Sequence, residues 1–263
     1  MRYLEVGAGP ALRGCVRFWR LSGPAEPAVG EPEPVLPDGC VEIIVHLGDP
    51  FRAMNDGRSE LQPRVLFGGP GTRPVRLAPT GHVDVIGARF EAGAAARLAG
   101  GSLEGFVDRI VALDEIAAAL ARGLDEELAS PACGERWTDV LERRLEPLLG
   151  RAPQAVERAV ARVRATRGRT SVDELAREVG LSPRQLERRF RAEVGVGPKM
   201  LARIARFQHA WQLIGRTPTL ASAAARAGYF DQAHMVRDFQ RFAGASPRRF
   251  LAPGHELAHH FAG

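Results

Sequence analysis

Two stretches of this sequence repeat each other: AREVGLSPRQLERRFRAEVGVGP at residues 176–198 and AARAGYFDQAHMVRDFQRFAGASP at residues 224–247. Small, glycine, apolar and proline positions agree in order and in type. The matched positions are Ala176 and Ala224, Gly180 and Gly228, Leu186 and Met235, Phe190 and Phe239, and Gly195 to Pro198 with Gly244 to Pro247. Two copies are too few for a solenoid, so we interpret them as a pair of similar modules.

Each copy has the physical features of a helix-turn-helix. In the first, Ser171 is a favourable helix cap and Glu174 completes a capping box. The small side chain of Ala176 lets two helices cross closely, and Gly180 supplies the backbone angles of the turn. Ser182 then caps a second helix, which has a proline in its first turn, where proline is tolerated.

The second helix of each copy has a packed face and an outward face at about 100° per residue. In the first copy Leu186 and Phe190 share the packed face. The outward residues there are Arg184, Glu187, Arg188 and Arg191. In the second copy Asp231 is the expected cap. Its inward residues are Met235, Phe239 and Phe242, and its outward residues are Ala233, His234, Arg237 and Arg241.

A continuous helical pattern joins the two modules. It runs over the 16 residues from Lys199 to Ile214, with apolar side chains on or near one face. At about 1.5 Å per residue such a helix is roughly 24 Å long. It is therefore a suitable spacer for two recognition helices in successive major-groove segments about 34 Å apart.

Charge is divided unevenly along the chain. The formal net charge is only +5, but residues 1–150 carry 16 Arg and 22 acidic residues, whereas residues 151–263 carry 20 basic and 9 acidic residues. The two parts therefore differ in sign, at −6 and +11. This asymmetry favours a basic module that binds a polyanion, attached to an acidic module with another role.

On these residues the region 171–250 resembles the DNA-binding domain of the AraC/XylS family of bacterial transcription regulators. The resemblance rests on the two modules, the long helix between them and the closing Gly-x-x-Pro-x-x-Phe element, Gly244–Phe250. Gly228–Phe239 is similar to the most characteristic segment of that family. With the preceding amphipathic helix, Gln154–Thr166, the resemblance covers about 100 residues.

The resemblance implies which side chains contact double-stranded DNA. The implied base contacts are Arg184, Glu187, Arg188, Gln232, Ala233, His234 and Arg237. Arginine, glutamine and glutamate suit guanine, adenine and cytosine edges respectively, although Glu187 has an alternative role, since it can hold Arg184 or Arg191 in position on the same helix. Arg191 and Arg241 are assigned to phosphates, which provide affinity but no sequence code.

Residues 1–92 alternate like short strands separated by Gly/Pro turns, which is typical of a small barrel or sandwich. Through Leu36–Glu42 and Arg89–Ala95 this part resembles the cupin-like amino-terminal domains of AraC/XylS regulators. In the family such a domain binds a small-molecule effector, mediates homodimerisation, or both. The interior is the default place for a pocket. The candidate lining residues are Trp19, Cys40, Glu42, His46, Phe67, His82 and Arg89.

Other site classes have weak sequence support. The segment His255–His259 is a literal His-Glu-x-x-His, but it follows the DNA-binding region, where we expect a polar tail rather than a zinc protease. The run Gly68–Gly71 lacks the Lys-Ser/Thr of a phosphate loop. We therefore expect no catalytic residues, no metal site and no cofactor.

Absent signals favour a cytoplasmic protein that does not bind a membrane. There is no run of about 18 apolar residues and no secretory signal pattern. The widely spaced Cys15, Cys40 and Cys133 suit reduced thiols.

The predicted fold class is α+β and multidomain. A β-rich cupin-like domain (1–92) and a helical extension and linker (93–150) precede an all-α domain (151–252) of two helix-turn-helix modules joined by a long helix, and 253–263 is a polar tail. The predicted function is sequence-specific, effector-responsive transcriptional regulation, with RNA polymerase as a partner of an activator. Two alternatives remain: a ligand-independent regulator whose first domain only dimerises, and a small-molecule binder or enzyme with an accessory basic domain.

Overall fold

The computed structural model of the chain describes residues 1–23, 32–55, 57–149 and 154–251. The predicted polar tail and its His-Glu-x-x-His motif therefore lie outside the described residues. None of the helices within these ranges is both long and apolar enough to cross a bilayer.

The amino-terminal half forms two antiparallel sheets from short, alternating strands. The strands are β1 (Arg2–Gly7), β2 (Val16–Ser22), β3 (Glu33–Val35), β4 (Val41–His46), β5 (Arg52–Asn55), β6 (Arg58–Leu61), β7 (Val65–Gly68), β8 (Val75–Ala78), β9 (Asp84–Phe90) and β10 (Ile110–Ala112). One sheet has the order β1-β2-β9-β4-β7-β10 and the other β3-β8-β5-β6. At the centre of the larger sheet, Ile43 lies opposite both Ala88 and Phe67.

Both faces of the larger sheet are buried, and β2 shows how the sequence achieves this. Val16 and Phe18 point into a core shared with the helices that follow the sheets, whereas Trp19 and Leu21 point into a second core shared with the smaller sheet. Because successive side chains of a strand point to opposite faces, this seven-residue strand contributes apolar side chains to both cores. The prediction of a β-rich, cupin-like first domain with appended helices is confirmed.

The segment 93–150 is less helical than its Ala/Leu-rich composition suggests. A 3-10 turn at Glu104–Phe106 is followed by strand β10, which pairs with β7 through Ile110 and Gly68. Helices begin only after it, as α1 (Asp114–Ala121), α2 (Leu124–Ala129) and α3 (Trp137–Leu149). The helical expectation was wrong for Ile110–Ala112, because a short β-branched segment completes the edge of the sheet.

The carboxy-terminal half is all-α and repeats one three-helix unit. The first module is α4 (Ala155–Ala165), α5 (Val172–Glu178) and α6 (Pro183–Val194); the second is α7 (Pro198–Leu213), α8 (Leu220–Ala227) and α9 (Gln232–Ala243), followed by a 3-10 helix at Pro247–Leu251. The joining helix α7 has the predicted 16 residues, shifted by one position. The all-α double helix-turn-helix prediction is confirmed.

The predicted caps are formed as the sequence indicates. Ser171 and Ser182 accept hydrogen bonds from the backbone amides of Glu174 and Gln185, at 3.2 and 3.3 Å, and both are reciprocated capping boxes. Asp231 caps α9 by accepting from the His234 amide at 2.6 Å. These side chains satisfy backbone donors that a helix start leaves unpaired, so both recognition helices begin at defined residues.

Candidate DNA-binding surface and effector cavity

The outward face of α6 is exposed and basic. Leu186, Phe190 and Val194 are buried against α4 and α5, which turns Arg184 and Arg188 to solvent. The turn before α6 is closed by a hydrogen bond from the Leu181 amide to the Ala176 carbonyl at 2.9 Å, across Gly180 with its φ of 73°. The packed core and this turn set the direction in which the arginines project.

Glu187 lies at the edge of that face rather than in its middle. Its carboxylate accepts a hydrogen bond from the Arg191 guanidinium at 3.1 Å, one helical turn along. A methyl group on Gly197 would come within 2.5 Å of the same carboxylate, so Glu187 is directed towards the turn before α7. This geometry matches the holding role, with Arg191 as its partner.

The corresponding face of α9 is exposed but less charged. Gln232, Ala233, Arg237 and Arg241 are exposed. His234 is half-buried, with its ring packed edge-on against Tyr229 at 5.0 Å between centroids.

Sequence reasoning missed Phe230, whose side chain is 94% exposed directly before the cap of α9. Its position beside the cap, outside the helical pattern, gave no periodicity signal. An exposed aromatic side chain here extends the surface that begins α9.

Asp238 is a second missed residue. It is fully buried on α9 between Met235 and Phe242, and its carboxylate accepts a hydrogen bond from the Arg203 guanidinium of α7 at 2.6 Å. Charged residues are almost never fully buried unless paired, so this ion pair ties the recognition helix to the joining helix. The only sequence signal was an acidic residue on an otherwise apolar helix face.

A cavity of about 120 Å³ lies between the two sheets of the first domain. Apolar side chains form much of its wall, including Leu36, Ile44, Leu66, Val75 and Leu77. Three of the seven predicted pocket residues line it, namely Cys40, Glu42 and Arg89. The sequence therefore identified the polar corner of the cavity.

The other four predicted pocket residues lie elsewhere. Trp19 lies in the same layer between the sheets but does not line the cavity, and it donates its indole N–H to the Glu42 carboxylate at 3.1 Å. Phe67 belongs to the core under the helices. His46 is buried with Nε2 3.1 Å from Gln62 Oε1, and burial lowers its pKa to about 4. His82 is exposed in a turn. The prediction failed for Phe67 because alternation alone does not tell which face of a doubly buried sheet lines the cavity.

The polar corner is an ion-paired cluster. Arg89 contacts the Glu42 carboxylate at 2.9 Å and the Asp38 carboxylate at 3.6 Å. Burial raises the pKa of Glu42, and the Arg89 guanidinium opposes that shift. Burial disfavours the charge on Arg89, but Glu42 and Asp38 outweigh it and raise its pKa. The cluster thus holds opposite charges at the cavity wall.

One wall of the cavity also contacts the DNA-binding modules. The side chain of Leu36 packs into the core of the second module. The Pro37 carbonyl accepts a hydrogen bond from the side-chain amide of Gln208 on α7 at 2.7 Å. Cys40 lies 3.1 Å from the Arg164 guanidinium of α4, which also pairs with Glu91 at 2.9 Å. We call residues 36–40 the coupling loop.

The chain is similar to known families in both halves. Residues 175–252 match the family described as Helix-turn-helix domain, and residues 5–112 match Domain of unknown function (DUF6597). No curated protein matches the chain at a significant level.

Three solved structures illustrate the similarity. Fatty-acid-bound ToxT from Vibrio cholerae is 12% identical, with 95% of this chain and 97% of that chain covered and a TM-score of 0.47. A probable AraC family regulator from Rhodopseudomonas palustris is 27% identical over 41% of this chain and 96% of that chain, with a TM-score of 0.33. A DNA-binding dual regulator from Escherichia coli is 21% identical over 41% and 95%, with a TM-score of 0.34.

Because the helix-turn-helix match falls on two capped modules that share one joining helix, the carboxy-terminal part of the chain is a helix-turn-helix domain of the AraC type.

Proposed function

We propose that the chain is a sequence-specific regulator that places α6 and α9 in successive major-groove segments of one operator, under the control of a small molecule bound in the first domain. The observation that carries the DNA-binding part is the pair of exposed recognition faces, each fixed by a cap and a core and both attached to α7. Recognition helices that enter the major groove require this exposure.

Individual contacts follow from side-chain chemistry. Arg184 and Arg188 of α6 and Arg237 of α9 suit guanine edges, and Gln232 suits adenine. Ala233, and Phe230 before the helix, offer apolar contact to a thymine methyl. His234 completes the proposed base contacts. Arg191 and Arg241 bind phosphates, and Glu187 positions Arg191 rather than reading a base.

The coupling loop supports effector control. A molecule in the cavity touches Leu36, Pro37, Asp38 and Cys40 on one side, and these residues contact α4, α7 and the second module on the other. An engineered apolar cavity of about 150 Å³ holds benzene, so we infer a compact, mainly apolar effector with one polar end beside Glu42 and Arg89. An occupant changes DNA affinity to the extent that it binds the two loop arrangements differently.

The remaining partners belong to the same proposal. The regulator acts on DNA in the cytoplasm, a second copy of the chain is a candidate partner, and RNA polymerase is a partner if the protein activates. The rival function, an amino-terminal domain that only dimerises, gives no role to a cavity wall that touches both modules.

The test is selection of bound sites from random duplex DNA by the full chain, followed by gel-shift titration with competitor DNA and a panel of small aromatic and short-chain compounds. We expect enrichment of one asymmetric site with two halves about one helical turn apart, and a compound that shifts its affinity at least fivefold. Ile44→Phe, which fills the cavity, should abolish the compound's effect while retaining DNA binding. Failure to enrich any site contradicts sequence-specific regulation, whereas an unchanged compound effect in Ile44→Phe contradicts the cavity assignment.

A further inference from the structure

A second surface of the DNA-binding domain collects positive charge away from the outward faces of α6 and α9. A cavity of about 410 Å³ lies where the α4–α5 turn meets the ends of α7 and α8. Its wall is formed by Arg167, His209, Gln212, Leu213, Arg216 and Arg226. Three guanidiniums and an imidazole line one cavity, and no carboxylate among the described residues lines it.

Among the described residues, no acidic side chain compensates the positive charges of this cavity. Two exposed arginines elsewhere in the domain do pair with acids, Arg162 with Glu178 at 3.2 Å and Arg191 with Glu187 at 3.1 Å. Within the described parts of the chain, no ion pair is formed by Arg167, Arg216 or Arg226. All three are exposed, so their guanidiniums are accessible to an external anion.

The His209 imidazole is affected by the surrounding positive charges. Arg167 Nη1 lies 2.8 Å from His209 Nε2. A guanidinium only donates hydrogen bonds, so the ring nitrogen accepts and the imidazole is neutral. Burial lowers the pKa of His209, and Arg167, Arg169 and Arg226 lower it further. The ring thus avoids adding another positive charge to the cluster.

Arg167 adopts a strained backbone conformation in this cluster. Arg167 has a φ of 54°, in the left-handed region that non-glycine residues seldom occupy. Gly168 follows with a φ of 72°, and a methyl group there would come within 1.9 Å of the Ala202 carbonyl oxygen. Arg206 donates to the Gly168 carbonyl at 3.0 Å and fixes the turn. Strain held in this way frequently marks a binding site.

We propose that this cavity is a phosphate-binding site that clamps the DNA backbone between the two recognition helices. Guanidinium forks match phosphate oxygens in shape and charge. The site spans both modules, since Arg167 precedes α5 of the first, while Arg216 precedes α8 of the second and Arg226 lies in the last turn of α8. In helix-turn-helix domains the first helix of the motif crosses the backbone, and α5 and α8 are those helices here. The inference rests on the proposed DNA-binding function.

The test compares the full chain with the triple variant Arg167→Asn, Arg216→Ala, Arg226→Ala in binding to random-sequence and selected duplexes over a series of salt concentrations. Asparagine tolerates the left-handed backbone at position 167. We expect roughly tenfold or greater loss of affinity for both duplexes and a salt slope lowered by about one to two, with their affinity ratio unchanged. Circular dichroism and the melting temperature check that the variant folds.

Two controls separate specific binding from bulk charge. Arg143→Ala removes one positive charge from the first domain, where Arg143 pairs with Glu127, and should leave DNA binding unchanged. The triple Arg→Lys variant at positions 167, 216 and 226 should recover most of the salt slope.

Three outcomes are distinguishable. If the wild-type chain binds no duplex, the proposed function itself fails. If the wild-type chain binds and the variant Arg167→Asn, Arg216→Ala, Arg226→Ala binds equally well, the proposal of a phosphate clamp is wrong. A third arm adds inorganic phosphate: if the triple variant loses a phosphate-induced rise in melting temperature but keeps wild-type DNA affinity, the occupant is a free phosphate group and the DNA assignment is overturned.

Discussion

The two helix-turn-helix modules share one design but are attached to the rest of the molecule differently. Ala192 on α6 and Arg241 on α9 occupy equivalent positions of the repeat, 49 residues apart. The Ala192 carbonyl accepts a hydrogen bond from the Leu103 amide of the first domain at 2.7 Å, whereas Arg241 is exposed, 5.8 Å from the Phe242 ring. The first recognition helix is thus held by the β-rich domain, and the second is free at the same place.

A second pair of equivalent positions shows how the free module is held instead. Arg189 on α6 is exposed, whereas Asp238 at the matching position of α9 is buried and ion-paired with Arg203 of α7. In the second module, this ion pair to α7 holds the recognition helix where the first module uses a contact with the first domain. The comparison indicates that the first recognition helix is held directly by the first domain, whereas the second is held through α7.

The largest expected effect is loss of this internal tether. Asp238→Ala leaves Arg203 without its buried partner, and removing one member of a buried pair costs about 3 kcal/mol. Arg189→Ala, the matched control, should change stability by less than about 0.5 kcal/mol, as exposed substitutions usually do. Hydrogen exchange of the α9 and α6 amides measures the local opening free energies. Equal effects in the two variants would show that the modules are tethered alike.

A smaller difference is expected at the glycines that end the recognition helices. Gly195 and Gly244 both have a left-handed backbone, with φ of 84° and 68°, so alanine costs each about 1 kcal/mol. At Gly195 the added methyl would also come within 2.6 Å of Pro70 in the first domain, but at Gly244 the nearest atom is 3.6 Å away. We expect Gly195→Ala to cost about 1 kcal/mol more.

A double-mutant cycle isolates that additional cost. Pro70→Ala removes the ring carbon that the new methyl meets, so combining it with Gly195→Ala should recover about 1 kcal/mol relative to additivity. Chemical denaturation of the full chain, monitored by probes in each half, measures the free energy of unfolding of each variant. Strict additivity would contradict the close contact between the domains at this point.

Local patterns determined what could be predicted from the sequence. Caps, glycine turns and helical periodicity act over a few residues, and the repeat showed them twice, so both modules and the joining helix were predicted to within a residue or two at their ends. The outward faces followed from the same periodicity. The positive charge on those faces favoured a polyanionic partner.

Features that depend on distant parts of the chain escaped prediction. The sequence indicated the coupling loop only through the family resemblance of Leu36–Glu42 and the pocket candidate Cys40, and not its contacts, because its partners Arg164 and Gln208 are more than 120 residues away. Gly195 and Gly244 looked alike in the repeat, and only the folded first domain distinguishes them. The burial of Asp238 and the clustering of Arg167, Arg216 and Arg226 likewise arise from packing between helices.

The central claim is that each module reads its own base pairs, and the matched arginines Arg188 and Arg237 test it most directly. Binding of the full chain, Arg188→Ala and Arg237→Ala should be measured against the selected site and every single-base variant of it, with Glu187→Gln as the control on α6. Each arginine variant should lose about 1–3 kcal/mol and relax specificity at one position, with the two positions about one helical turn apart. Affinities within twofold of wild type, or relaxation of both variants at the same base pair, would contradict the account.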